Sequence, residues 1–196
     1  MAQMDMDQEK LAAALKARDP AAMQQLVEAF GQRLTRSAYL LCGNENEAQD
    51  LAQDTFVEAF RSAHRFQGRS SVYTWLHSIL LNLTRHYRRK RKKLIYDNEL
   101  AAQEISAPEE HPSALDVDCA ATELAQALQR LSEPHREVLV LRYYERLQIA
   151  EIAQSLGVSP GTVKSRVHYA IQEMQKLLPA EMNLFGAGGT NEMETK

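Results

Sequence analysis

The stretch "QIAEIAQSLGVSPGTVKSRVHYAIQEM", residues 148 to 174, constrains the fold more than any other part of the chain. Its apolar residues recur at three- and four-residue spacing on both sides of a glycine, a period that fits helix and not strand. Ile149, Ile152, Ala153 and Leu156 line one face of a first helix. Gly157 permits a tight turn, and Val158 plugs it. Ser159 is placed to cap a second helix, with Pro160 at its first position. Val163, Val167, Ala170, Ile171 and Met174 fall on one side of that second helix, and Thr162, Ser165, His168, Tyr169 and Gln172 on the other. Lys164 and Arg166 flank the polar face. Such a helix-turn-helix suits a DNA major groove, where the central side chains meet base edges and the flanking cations meet phosphates.

The helical period extends over most of the chain. Ala, Leu, Gln and Glu are abundant, and Val, Ile and aromatics are few, which favours helix. No strand pattern and no internal repeat occur. Residues 8–93 read as several helices within a first unit of 1–93, and residues 119–178 as a second helical set opened in part by Ser132 with Pro134. Between them, residues 94–118 lack a sustained period and hold Pro108 and Pro112, which reads as a linker. The end, 179–196, contains "GAGG" and reads as a flexible tail. The expectation is an all-α chain: two small helical domains joined by a flexible acidic linker, the C-terminal one containing the helix-turn-helix.

Charge is segregated along this chain, whose formal net charge is -3. From Arg85 to Lys93, seven of nine residues are Lys or Arg, too many to serve only as favourable charge at a helix end. They terminate "SSVYTWLHSILLNLTRHYRRKRKK", predicted as one long helix with an apolar stripe of Val72, Leu76, Ile79, Leu80, Leu83 and Tyr87. Beside that stripe run Trp75, Ser78, Asn82, Arg85 and Arg89, with His86 at the edge. An aromatic, an amide and cations on one face suit phosphates and exposed bases. In "NENEAQDLAQDTFVEAFRSAHRF", by contrast, Glu47, Asp50, Asp54 and Glu58 share a face opposite Ala48, Ala52, Phe56, Ala59, Phe60 and Ala63. A solvated face explains such an acidic stripe, and so does a basic protein partner. Residues 94 to 123 add eight acids and no Lys or Arg.

Composition narrows the remaining classes. Two cysteines, Cys42 and Cys119, without a CxxC, fit a reducing compartment. The opening "MAQMDMDQEK" is no signal peptide, and no apolar run approaches the roughly 18 residues of a membrane span, so a cytoplasmic protein without membrane insertion is expected. The six histidines are dispersed, none with zinc spacing to a cysteine, and no phosphate-cradling loop, nucleophile elbow or carboxylate pair stands out. The expectation is therefore a binding protein, not an enzyme, with no metal and no cofactor.

Taken together, the segments resemble the sigma factors of bacterial RNA polymerase, specifically the small extracytoplasmic-function group, over about residues 10 to 178. "EAQDLAQDTFVEAFRSAHRF" is similar to the helix that binds core polymerase. "FQGRSSVYTWLHSILLNLTRHYRRKRKK" is similar to the loop and helix that open and read the minus-ten element. "LQRLSEPHREVLVLRYYERLQIAEIAQSLGVSPGTVKSRVHYA" is similar to the minus-thirty-five domain. The resemblance implies that Glu47, Asp50, Leu51, Asp54, Phe56 and Glu58 meet core RNA polymerase. It implies that Phe66, Gly68 and Ser70 form the loop that captures a flipped-out base and that Asn82 contacts the unpaired strand. Arg85, Arg88 and Arg89, with His86, would follow the DNA, and Trp75 would be mostly structural. Thr162, Lys164, Ser165 and Arg166, with His168 and Tyr169, would read the minus-thirty-five duplex. An anti-sigma protein is a further implied partner.

Two positions depart from the family pattern. His86 stands where Asp or Asn is common, and Tyr169 where Arg is common. A phenol cannot make the bidentate guanidinium contact to guanine, so the family's usual promoter sequence does not transfer. A stand-alone helix-turn-helix regulator is the alternative; it leaves the acidic face and the linker unexplained.

Overall fold

Capping residues start and stop the helices. The computed structural model describes residues 13–17, 19–99 and 119–178. After a short helical piece at 13–16, α1 spans Pro20–Cys42. Its N-cap Asp19 accepts from the Ala21 amide at 2.9 Å, and Gly43 ends it in the left-handed region at φ 81°. Helix α2, Glu45–Ser62, starts on Asn44, whose side chain accepts from the Glu47 amide at 3.0 Å. A 3₁₀ turn at Ala63–Arg65 and an extended loop lead to α3, Val72–Glu99. The second set comprises α4 (Cys119–Arg130), α5 (Glu133–Leu139), α6 (Ile149–Leu156) and α7 (Pro160–Leu177). Between α5 and α6, Val140–Tyr144 form a π-helical turn. The described residues are helices and their connections, with no strand among them.

The start of α7 follows its sequence reading. The Ser159 hydroxyl accepts from the Thr162 amide at 3.1 Å, Pro160 follows it, and Gly157 closes α6 at φ 67°. Helix α3 runs further than expected, to Glu99, into the stretch read as linker. The rest of that linker, 100–118, and the tail, 179–196, lie outside the described residues.

Apolar stripes from all seven helices meet in one continuous core that extends from Leu15 to Met174. Ala48, Ala52, Phe56 and Ala59 are buried on α2, Ala63 in the 3₁₀ turn that follows it, and Val72, Leu76, Ile79 and Leu80 on α3. The two helical sets are in contact: α4 packs on α1, α6 on α3, and the π-helical turn on α1. The tether reading does not foresee this contact. Its physical basis is a group of polar side chains that periodicity assigns to solvent.

Candidate nucleic-acid interface

Helix α7 presents the two faces expected of it. Val163, Val167, Ala170, Ile171 and Met174 are buried, while Lys164 and Ser165 are exposed and Tyr169 stands 58% exposed. Thr162, Arg166 and His168 are half-buried at the margins. The Ser165 hydroxyl donates back to the Thr162 carbonyl at 3.0 Å, and the His168 and Tyr169 rings meet edge-on at 5.5 Å. Gln172 Nε2 lies 3.0 Å from His168 Nε2. The outward face is therefore a hydroxyl, a phenol, an imidazole and an amide bordered by cations, a set able to meet base edges and phosphates.

Helix α3 divides less simply. Asn82, His86 and Arg89 are exposed along one stripe, with Trp75 half-buried at its start. Phe66 is buried, its ring 5.1 Å from that of Trp75. Phe66, expected as a contact residue, is thus not exposed in the free chain. Arg85 and Arg88 are not free either. The Arg85 guanidinium forks onto Glu137 of α5, with Nε and Nη2 donating at 2.7 and 2.6 Å. Arg88 donates to the Leu41 carbonyl at the end of α1 and, at 3.4 Å, to Gln129 of α4. Among the described cations of the basic run, Arg89, Lys90, Arg91, Lys92 and Lys93 are exposed.

On α2, Asp50 and Asp54 are exposed and Glu58 is half-buried beside them. Glu47, expected on the same open face, pairs with Arg91 of α3 at 3.0 Å. Leu51 and Phe56 are buried. Both were expected as contacts and are not exposed in the free chain. Val57, between Asp54 and Glu58 in sequence, is 42% exposed.

A third cluster, absent from the sequence reading, joins the two helical sets. Glu145, just after the π-helical turn, has a fully buried side chain. Its carboxylate accepts from the Ser37 hydroxyl of α1 and, at 2.6 Å, from the Tyr73 hydroxyl of α3. Arg33 Nε sits 3.0 Å from Oε2, and His77 Nε2 lies 3.4 Å from Oε1. Burial alone would raise the carboxyl pKa. The neighbouring His77 and the Ser37 and Tyr73 hydroxyls outweigh it and hold Glu145 below the ordinary carboxylate value. Burial and the bond to Glu145 raise the Tyr73 hydroxyl, which therefore stays protonated and donates. Nearby, the Thr74 hydroxyl donates to Glu151 at 3.2 Å. The described residues contain no group of three His, Cys, Asp or Glu placed to hold a metal ion.

Comparison with known proteins matches this layout. Residues 26–94 match Sigma-70 region 2, and residues 121–174 match Sigma-70, region 4. The chain is 30% identical over 187 residues to the ECF RNA polymerase sigma factor SigW of Bacillus subtilis, covering 89% of this chain and 98% of that relative. The chain belongs to the extracytoplasmic-function sigma factors of RNA polymerase. Among solved structures, this sigma factor is similar to RpoE of Bartonella quintana, crystallised with the anti-sigma factor NepR, with TM-score 0.67, 28% identity and coverage of 79% of this chain and 94% of that one. It is also similar to CnrH in complex with the cytosolic domain of CnrY, with TM-score 0.64, 28% identity, and 87% and 96% of the two chains covered.

In this sigma factor, region 2 takes in α2 and the basic run of α3, and region 4 takes in α5, α6 and α7. The structure keeps Asp50, Asp54, Asn82, His86, Arg89, Lys164, Ser165 and Tyr169 at the surface. It withdraws Leu51, Phe56 and Phe66 into the core and engages Arg85, Arg88 and Glu47 within the chain. Ser37, Tyr73, Glu137, Glu145 and Arg136 were missed. No local signal marked them, because a polar or charged residue in a periodic segment such as "REVLVL" reads as solvated until its partners are known.

Proposed function

We propose that this sigma factor docks on core RNA polymerase through Asp50, Asp54 and Glu58 of α2 and reads two promoter elements with separate helices. Residues 1–93 form the polymerase-binding and minus-ten unit, residues 94–118 the linker, and residues 119–178 the minus-thirty-five unit. Asn82, His86 and Arg89 face the unpaired minus-ten strand, while the Gly68 and Ser70 loop holds a flipped base. Arg85 and Arg88 grip phosphates once released from their intramolecular partners. Thr162, Lys164, Ser165, Arg166, His168 and Tyr169 meet the minus-thirty-five duplex.

The observation that carries the reading is the order of surfaces on one chain: an exposed acidic face on α2, a polar and basic stripe on α3, and a polar face with flanking cations on α7. A DNA-binding protein acting alone has no use for the first. The mechanism is binding, not bond chemistry. Contacts to an unpaired strand offset the unstacking of a few base pairs. Two weak readers on one chain and one polymerase act together through effective concentration. The work is done beside the polymerase in the cytoplasm, and no described helix is long and apolar enough to cross a membrane. An anti-sigma protein is the proposed regulator, on the precedent of RpoE with NepR.

Charge reversal separates the roles. Asp50→Lys with Asp54→Lys is expected to abolish binding to core polymerase and to leave the helical circular dichroism unchanged, since both residues are exposed. Ser165→Ala or Tyr169→Ala is expected to change the promoter spectrum and leave polymerase binding intact. Normal polymerase binding by the Lys variant refutes the assignment of the α2 face.

A further inference from the structure

The backbone around Glu145 is irregular in two independent ways. The Glu145 amide donates to Val140 at 3.0 Å, a π-type step, and the Leu147 amide donates to Leu141 at 3.0 Å. Arg146, not a glycine, sits at φ 56° in the left-handed region. Both features cost free energy, and such costs persist only where the surroundings over-determine them. Here they aim one carboxylate out of its own helical set. The donors it meets, Ser37, Tyr73 and Arg33, with His77 beside them, belong to α1 and α3. Arg33 also donates to the Glu145 carbonyl at 3.2 Å and lies over the Tyr73 ring at 4.9 Å. A buried carboxylate satisfied wholly from across a contact ties the two sides together.

The same contact occupies groups assigned above to DNA. Glu137 fills the Arg85 fork, and Gln129 adds a 3.4 Å bond to Arg88, whose shorter bond, to the Leu41 carbonyl, lies within its own helical set. Distance adds a second conflict. Promoter elements centred about 25 base pairs apart lie roughly 85 Å apart on duplex, at about 34 Å per turn. A compact chain of this length has a radius of gyration of about 16 Å. With α3 and α7 in one packed body, both elements cannot be touched at once.

We propose that Glu145 is an interdomain latch: its bonds to Ser37, Tyr73 and Arg33 hold the free sigma factor closed, with Arg85 withheld from DNA, until the two helical sets separate. The masking half of this proposal rests on the assignment of that arginine to promoter phosphates. The latch itself rests on the geometry alone. Asn82, His86 and Arg89 stay exposed in the closed form, so closure removes the phosphate grip and the reach, not the strand-reading stripe.

The test uses the full chain and two conservative variants, one on each side of the contact. Glu145→Gln keeps the shape and removes the charge; Tyr73→Phe keeps the ring and removes one donor. Small-angle X-ray scattering reads closure without DNA. Fluorescence anisotropy reads binding to a labelled duplex with a single-stranded extension. Both variants are expected to raise the radius of gyration with unchanged helical circular dichroism, and to bind the probe about tenfold more tightly, because the competent fraction rises. Unchanged scattering for both variants overturns the latch. Expansion with unchanged DNA affinity supports the latch but overturns the masking of Arg85, and with it the assignment of Arg85 to DNA.

Discussion

Replacing Arg136 should be among the most damaging single changes in this protein. Its guanidinium is buried, and its nitrogens make five hydrogen bonds, as many as it has N–H donors. Nε donates to Leu128 at 2.7 Å, Nη1 to the Leu41 carbonyl at 2.8 Å and to Gln129 Oε1 at 2.7 Å, and Nη2 to the Gln129 and Leu131 carbonyls at 2.8 and 3.0 Å. These acceptors gather around the C-terminal ends of α4 and α1, where orphan carbonyls and two helix dipoles concentrate negative potential. One cation thus closes two helix ends and joins them. Arg136→Met preserves apolar volume but leaves four carbonyls and an amide oxygen short of donors. Bonds to a charged group are worth about 1.5–3 kcal/mol each, though entering water recovers part of that. The expected loss is about 3–5 kcal/mol, the range for breaking a buried charged cluster. With a urea slope of about 2 kcal/mol per molar, the midpoint falls by roughly 2 M. Arg136→Lys, with three donors and no planar fork, should fall between. A loss under about 1 kcal/mol for the Met variant refutes the claim that this guanidinium holds the helix ends.

Three further outcomes follow from the geometry. Gly157→Ala should cost about 1–2 kcal/mol from its left-handed backbone alone, because a Cβ there meets nothing within 4 Å, and thermal melts of the two proteins measure it. The Glu145 carboxyl lies below its ordinary value, so its contribution is full above the unfolded pKa of about 4.3 and is lost as pH falls through the lower folded value. Glu145→Gln should therefore flatten the acid limb of a melting-temperature profile, and an unchanged limb contradicts the role given to this group. Burial pushes the Cys42 thiol up to about 11, while its Sγ donates to the Asn44 carbonyl at 3.2 Å. In a Cys119→Ser background, iodoacetamide at pH 7.5 should modify Cys42 far more slowly than a free thiol, since only the thiolate reacts.

The helix-turn-helix was legible because its signals are local. Ser159, Pro160 and Gly157 act within one turn of where they stand, and the apolar period of α7 fixes its buried side without reference to any other segment. The exposed acids Asp50 and Asp54 were legible for the same reason. The contact between the helical sets was not, because a charged residue in a periodic segment reads as solvated unless its partners are known. Glu145 finds Ser37 across 108 positions of sequence, and Arg85 finds Glu137 across 52. The burial of Phe66 was not legible for another reason. A loop residue flanked by His64, Arg65, Gln67 and Gly68 reads as exposed, whereas the Trp75 ring gives it a neighbour that buries it. Motif matching likewise carried Leu51 and Phe56 along with the acids between which they lie, although their own spacing already placed Phe56 on the core side.

The most direct test of the central claim is run-off transcription by bacterial core RNA polymerase with this protein and a genomic promoter library. The chain is expected to bind core polymerase and to yield transcripts from a restricted set of promoters, and Asp50→Lys with Asp54→Lys to abolish both. No binding to core polymerase by the purified, folded chain, with no inhibitor present, contradicts that claim and leaves a stand-alone DNA-binding regulator.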